Sequence, residues 1–124
     1  LNATVQEKGC GALFNLAVSE NNKVTIAAAG GITTILSAMK THSSNATVQE
    51  TGCSALMNLA LNENNRVTIA EAGGITTILS AMKTHSSNAT VQENGCGALL
   101  STGTRYFLFL LIGSIYICIH CIAP

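Results

Sequence analysis

The sequence has little charge, and this shortage limits the partners that it can attract. Charged residues make up 10% of the chain, with six Lys and Arg balanced by six acidic residues. A neutral chain without a basic stripe offers no electrostatic attraction to DNA or RNA, so we predict no nucleic-acid partner. Hydrophobic residues account for 48% of the chain, which excludes a solvated, disordered polypeptide.

The chain also lacks the side-chain pairings that catalysis and metal binding need. No histidine lies in register with Cys10, Cys53 or Cys96, so no base stands beside a thiol nucleophile. No two acids share one site, as acid–base catalysis requires. His42 and His85 are repeat-equivalent and would lie too far apart to share a metal. We therefore predict no enzyme activity, no catalytic residue, no metal and no cofactor.

What the sequence has instead is an internal repeat of 43 residues, beginning at Asn2, Asn45 and Asn88. The first two copies differ at only seven positions. Repeats of this length are typical of helical solenoids, in which each unit stacks on the next and shares its core. We predict a repeat segment over 1–100, with repeats 2–44, 45–87 and a partial 88–100, followed by a non-repeat tail over 101–124.

The spacing of apolar residues predicts three helices in each repeat. The predicted ranges are 3–18, 22–29 and 32–40 in the first copy, 46–61, 65–72 and 75–83 in the second, and 89–100 in the third. Asn2 is a plausible N-cap and Thr4 could start a capping box, so the start stays open by two residues. Residues 19–22 are predicted to form a turn, and Gly30 to end the short helix.

Two faces of the long helix can be distinguished from the spacing. Val5, Gly9, Ala12 and Leu16 share one face, which we predict to be the stacked one. In the short helix, the residues predicted to face inward are Val24, Ile26 and Ala27. The copies diverge at Lys8/Thr51, Gly11/Ser54, Phe14/Met57 and Val18/Leu61, which lie within about 120° of one another around the helix. This divergent face is either a recognition surface or an exposed face that has drifted.

The cysteines indicate a reducing environment. Of the five in the chain, Cys10, Cys53 and Cys96 occupy one repeat position, as expected of a small core residue and not of a disulfide framework. No charged segment followed by an apolar one opens the sequence, so no secretion signal is recognised. We predict a cytoplasmic location.

The motifs VQE-x-GC-x-AL-x-NLA, N-N-[KR]-V-T-I-A and A-GGI-x-x-IL-x-AM resemble the armadillo repeat, with HEAT repeats as the near alternative. The resemblance implies an all-α fold, an α-α superhelix in which the long third helices line a concave groove. In the family's peptide-binding members that groove holds an extended peptide, gripped by a ladder of asparagines. The matching positions are Asn15 and Asn58, while the third rung is Ser101.

The absence of tryptophan limits the kind of peptide-binding armadillo protein that the chain resembles. The family's nuclear-import receptors carry Trp four residues before the ladder asparagine, where this chain has Gly11, Ser54 and Gly97. Without aromatic slots for lysine side chains, a nuclear-localisation-signal receptor is not predicted. Asn15 and Asn58 either pair with a peptide backbone, since an amide both donates and accepts, or hydrogen-bond a neighbouring turn.

We therefore predict a protein–protein interaction scaffold whose partner is a protein or an extended peptide. The candidate protein-binding residues lie on the long helices: Thr4, Lys8, Gly11, Asn15, Thr47, Thr51, Ser54, Asn58 and Asn94. Because the chain opens on a long helix and the repeat pattern is lost within another, a fragment of a longer array is expected. Both of its ends would expose apolar stacking surface open to self-association.

The segment 106–122 carries no formal charge and supports three interpretations. It is a foreign tail from a translated intron or frameshift, a membrane anchor that leaves the repeats in the cytosol, or a helix capping the last unit. The second interpretation gives the alternative function, a membrane-tethered structural spacer. The single C-x-x-C from Cys118 to Cys121 lacks the second pair that a zinc site needs.

Overall fold

The computed structural model describes residues 2–103, and these residues form helices without any strand. The predicted all-α class is therefore confirmed. In chain order the helices are α1 (Ala3–Leu16), α2 (Glu20–Ala28), α3 (Gly31–Thr41), α4 (Ala46–Leu59), α5 (Glu63–Glu71), α6 (Gly74–Thr84) and α7 (Ala89–Ser101). We call residues 2–44 unit 1, residues 45–87 unit 2 and residues 88–103 unit 3.

The N-caps settle where the long helices begin. The side-chain oxygens of Asn45 and Asn88 accept hydrogen bonds from the main-chain N–H groups of Val48 and Val91, each at 3.0 Å. The Asn2 oxygen accepts from the N–H of Thr4 at 2.8 Å. Each bond satisfies one of the donors that a helix leaves unpaired at its start. Asparagine is therefore the N-cap in all three units.

The short helices begin earlier than the sequence pattern predicted, and the turn predicted at residues 19–22 is wrong. Ser19 and Asn62 are extended N-caps, and α2 and α5 start at Glu20 and Glu63. A glutamate in the first turn favours this start because its charge opposes the positive end of the helix dipole. The Asn62 oxygen also accepts from the N–H of Asn65 at 3.2 Å.

A pair of glycines turns each short helix into the next one. Gly30 and Gly73 both have φ of 80°, a left-handed conformation that favours glycine, and α3 leaves α2 at an angle of 70°. A Cβ at Gly31 would lie 2.8 Å from the carbonyl oxygen of Ile26, so the second glycine is needed for close approach. The prediction that Gly30 ends the short helix is thus confirmed. The neighbouring Gly31 allows the close approach to Ile26.

The core runs through both complete units and into α7. Helices α1, α4 and α7 lie side by side, and α3 and α6 pack against the long helix that follows each of them. The largest fully buried side chains include Ile32, Ile35, Leu36, Met39, Leu56, Leu59, Ile69, Ile78 and Leu99. Burying one such side chain stabilises the fold by about 1.5–3 kcal/mol, so these residues supply much of the stability of the two units.

The predicted stacked face is buried where a neighbour is present. In unit 2, Val48 and Leu59 are 0% exposed, and Gly52 and Ala55 between them are buried. The prediction that Val24 faces inward is wrong, since this side chain is 53% exposed. The inner side of α2 is taken by Lys23 and Ile26, which are both buried.

Candidate functional site

The accessible part of the central helix α4 is a single stripe. Beyond its first turn, every residue of α4 that reaches the surface falls within about 120° of arc, while the rest of the helix is buried. These accessible residues are Glu50, Thr51, Ser54, Met57 and Asn58. Two of the side chains are hydroxylic, one is an amide, one is apolar and one is an acid. The stripe therefore offers hydrogen bonds and an apolar contact with little charge.

The corresponding stripes of α1 and α7 extend this surface across three helices. Thr4, Lys8 and Asn15 are exposed, and so is Thr47 at the start of α4. Gly11, Thr51, Ser54, Asn58 and Asn94 are half-buried. All nine candidate residues thus lie on an accessible part of a long helix. We call the surface formed by Thr4, Lys8, Gly11, Asn15, Thr47, Thr51, Ser54, Asn58 and Asn94 the shared stripe.

Asn58 and Asn94 are fixed by the helix before them. The Asn58 Nδ2 donates to the carbonyl oxygen of Phe14 in α1, and the Asn94 Nδ2 donates to that of Glu50 in α4, both at 3.2 Å. The Phe14 carbonyl lies in the last turn of α1, where helix carbonyls lack intrahelical partners. Asn58 thus has the structural hydrogen bond that was one of its two predicted roles. Its Oδ1 accepts no hydrogen bond from residues 2–103.

Asn15, at the equivalent position of α1, has no such partner. Its side chain is exposed and makes no hydrogen bond within the part of the chain that the structure describes. The difference follows from position, because no described helix precedes α1 as α1 precedes α4. The amide of Asn15 is therefore held less firmly than that of Asn58.

The hydroxyl groups of the stripe donate to their own helix. Thr51 Oγ1 donates to the carbonyl oxygen of Thr47, and Ser54 Oγ donates to that of Glu50, both at 2.9 Å. A hydroxyl that donates once keeps its lone pairs as acceptors. Together with the free Oδ1 of Asn58, these oxygens give the middle of the stripe the character of a hydrogen-bond acceptor.

An apolar row borders the polar one. Phe14, Met57 and Leu100 occupy the same repeat position and are half-buried. A Cβ at Gly97 would lie 2.6 Å from the Met57 Sδ, so the thioether of Met57 rests on α7 where α7 has no side chain. The surface therefore pairs acceptor groups with a continuous apolar edge.

Beside the shared stripe, a polar cluster joins the two short helices. The Glu20 carboxylate accepts from Asn62 Nδ2 at 2.7 Å and from Lys23 Nζ at 3.0 Å. The hydrogen bond from Asn62, followed by that from Lys23, lowers the pKa of Glu20 below its ordinary value. Asn65 Nδ2 donates across the same boundary to the carbonyl oxygen of Lys23 at 3.1 Å.

The thiols are placed in the interior and are unreactive in character. Cys10, Cys53 and Cys96 are buried. Burial raises the pKa of Cys10, and it raises the pKa of Cys53 to about 12. Cys10 and Cys53 are therefore protonated at neutral pH, and a protonated thiol is a poor nucleophile and a poor metal ligand. Within residues 2–103 no group of three or more His, Cys, Asp or Glu side chains could hold a metal ion.

Sequence reasoning missed the glutamines that join the units. Gln49 Nε2 donates to the carbonyl oxygens of Met39 and His42, at 3.0 and 2.9 Å. Gln92 Nε2 donates to those of Met82 and His85, at 2.7 and 3.1 Å. Each glutamine thus pairs two carbonyls at the C-terminal end of the preceding helix. The signal available in the sequence was a glutamine repeated without change in all three copies.

Comparisons of the chain with protein-family models, with curated proteins and with solved structures give no match. Among residues 2–103 no single helix is long and apolar enough to cross a membrane; only α2 and α3 together pass on length and composition, and they are bent by 70°. The predictions made for residues 104–124, including the apolar segment 106–122 and the C-x-x-C, lie outside the described residues.

Proposed function

We propose that this chain is an armadillo-like solenoid segment that binds a protein partner, as an extended peptide, along the shared stripe. The observation that carries the proposal is the single accessible stripe of α4, which coincides with the positions where the repeat copies diverge. A helix buried on every other side can offer a partner only this surface. Its counterparts on α1 and α7 give the surface the width that a peptide needs.

The spacing of the helices suits an extended backbone. Packed helices lie about 8–10 Å apart, which roughly three residues of an extended strand span at about 3.3 Å each. A peptide that crosses α1, α4 and α7 would therefore present a backbone group to each helix in turn. The free Oδ1 of Asn58 can accept from a peptide N–H, while the amide of Asn15 can both accept and donate.

The chemistry of the stripe indicates the kind of peptide. The accessible charges of α1 and α4 are of mixed sign, since Lys8 Nζ lies 3.7 Å from the Glu7 carboxylate and Glu50 is the acid of the α4 stripe. Met57 and Phe14 offer an apolar edge to side chains that point away from the hydrogen bonds. We therefore propose a weakly charged peptide with alternate apolar side chains.

The test is a selection of random phage-displayed peptides on the full chain, followed by affinity measurements with matched variants. Thr51→Arg places a long charged side chain in the middle of the stripe. Thr68→Arg is the control, because Thr68 is exposed on α5 and its hydroxyl also donates to the carbonyl four residues earlier. Thr51→Arg should weaken the selected peptides at least about tenfold, a change of about 1.4 kcal/mol, and Thr68→Arg should not. Equal binding by both variants would exclude the stripe as the binding surface.

A further inference from the structure

Identical residues are buried in one unit and exposed in the other. Val5 and Leu16 are 62% and 52% exposed in α1, whereas Val48 and Leu59, one repeat later, are buried completely. The residue types are the same, so the difference comes from what lies against them. Helices α1 and α3 cover this face of α4, and no helix of residues 2–103 covers it on α1. We call the uncovered surface formed by Val5, Gln6, Gly9, Ala12 and Leu16 the leading face.

A glycine notch on this face matches a methionine of the preceding unit. A Cβ at Gly52 would lie 2.6 Å from the Met39 Cγ, and one at Gly95 would lie 2.7 Å from the Met82 Cγ. Methionine therefore occupies the notch at both described boundaries between units. Gly9 is the same repeat position, and nothing lies within 4 Å of a Cβ built there.

The polar groups on and beside the leading face also lack the hydrogen-bond partners that their repeat equivalents have. Gln49 and Gln92 each donate to two carbonyls of the preceding unit, whereas the side chain of Gln6 makes no hydrogen bond within residues 2–103. His85 Nε2 lies 2.8 Å from the carbonyl oxygen of Ser43 in unit 1. His42 Nε2 is buried and has no partner in the described part of the chain. A buried polar nitrogen without a partner costs free energy, so this position requires an explanation.

The cleft beside His42 is open on one side. It has a volume of about 410 Å³ and is lined by Gln6, Thr33, Thr34, Ser37, Ala38, Thr41 and His42. The corresponding cleft of unit 2 measures about 290 Å³, because Met39, Lys40 and Ser43 of unit 1 close its other side. No residue of 2–103 narrows the first cleft in the same way.

We propose that the leading face is a binding site for one further copy of the 43-residue unit, joined ahead of Asn2. Its third helix ends in Ala-Met-Lys-Thr-His, as α3 and α6 do. The methionine of that copy fills the Gly9 notch, and the last carbonyls of its third helix accept from Gln6 Nε2. The carbonyl of its first connector serine, equivalent to Ser43, meets His42 Nε2.

A joined copy fits better than a second molecule of this chain. Unit 2 is the last complete unit of the described residues, and α7 already covers the face of α4 and α6 that would have to dock. A joined copy is also bound in an intramolecular step, because one peptide bond connects Ser44 to Asn45 between units 1 and 2. The proposal is independent of the shared stripe and of its peptide.

The test uses the full chain with residues 45–87 added directly ahead of Asn2. The reporter is Val5→Cys, introduced both into the chain and into its extended form. The rate at which a maleimide labels this cysteine is measured on the individual peptide that contains it. The native cysteines of the described residues are buried, and burial keeps Cys10 and Cys53 protonated, so they should label slowly. The extension should add helix measured by circular dichroism and should slow the labelling of the reporter at least about tenfold.

Gly9→Leu is the variant that decides between docking and a general effect of the added residues. The notch of the unextended chain is open, so the variant should leave its folding intact. In the extended chain, Gly9→Leu should restore rapid maleimide labelling of the reporter cysteine. Three outcomes overturn the proposal: a reporter as reactive with the extension as without it, protection that survives Gly9→Leu, and protection that appears only as the protein concentration rises. The last would make a second molecule the occupant.

Discussion

The Asn58 Nδ2 donates a hydrogen bond to the carbonyl oxygen of Phe14, 3.2 Å away in the preceding long helix. The two residues are 44 positions apart, one more than the repeat. The same relationship joins Asn94 to Glu50 at the next boundary. A side chain on the shared stripe therefore also holds two units together. This structural contribution can be measured separately from the proposed contribution to binding.

Asn58→Ala and Asn15→Ala should differ in stability. Asn58→Ala leaves the Phe14 carbonyl without this donor in a half-buried place, which should lower the free energy of unfolding by about 1–2 kcal/mol. Asn15 is exposed and unpaired among the described residues, so its replacement should change that energy by less than about 0.5 kcal/mol. Urea unfolding followed by circular dichroism measures both. Equal losses would mean that the bond to Phe14 does not contribute.

Gln49→Ala should destabilise the chain far more than Gln6→Ala. Gln49 is buried and donates to two carbonyls at the end of α3, and these would lose their partner in the interior. We expect a loss of about 1–3 kcal/mol for Gln49→Ala. The loss for Gln6→Ala should be below about 0.5 kcal/mol, because Gln6 has no such partner within residues 2–103. Thermal unfolding of the two variants gives the comparison, and similar melting temperatures would contradict it.

The stability of the chain should fall as the pH rises above 9. Burial raises the pKa of Cys53 from an ordinary value of 9.0 to about 12. Between these values the unfolded thiol loses its proton while the folded one keeps it, so the unfolded state is favoured. One such group contributes a slope of up to about 1.4 kcal/mol per pH unit.

The control for this slope is Cys53→Ala. That variant should be less stable at neutral pH because it creates a small cavity, but its stability should decline less steeply between pH 9 and 12. Other groups titrate in the same range in both proteins, so the difference between the two slopes isolates the thiol. Parallel slopes in urea unfolding would show that Cys53 is not responsible.

The pKa of Glu20 should rise when Asn62 is replaced by serine. Asn62 Nδ2 is the largest cause of the lowered pKa, and serine is a favoured N-cap residue that already occupies the equivalent position, Ser19, in unit 1. Lys23 stays in place, so the pKa should move toward 4.5 without reaching it. Stability that this carboxylate contributes is present above pH 4.5 and is lost as the pH falls below that value. NMR titration of the Glu20 carboxyl carbon measures the change, and an unchanged pKa would exclude the bond in solution.

The sequence was sufficient for the helical units and for the direction of their buried face. Three copies of one apolar spacing specify the face that contains Val48 and Leu59, and asparagine specifies each N-cap. The start of α2 at Glu20 was missed because Glu-Asn-Asn resembles a turn when it is taken alone. The inward prediction for Val24 failed because polarity does not show that the stem of Lys23 occupies the inner side.

The contacts between units could not be predicted in the same way. Which carbonyl Asn58 contacts depends on the position of α4 along the axis of α1. The repeat period alone does not specify that position. The partners of Gln49 likewise depend on where α3 ends in space. The sequence alone indicates the accessible stripe of α4 only as a line of differences between copies, and the function of this stripe as a binding surface stays a prediction.

The side-chain hydrogen bonds described above between units 1, 2 and 3 share one direction along the chain. Among the described residues, amides of a later unit donate to carbonyl or carboxylate oxygens of the earlier one, as Asn65 does to Lys23 and Asn88 does to Glu50. One side of a unit is thus rich in N–H groups and the other in oxygens. Two like sides brought together about a twofold axis would place donors against donors, so symmetric back-to-back pairing is disfavoured and only head-to-tail growth satisfies both surfaces.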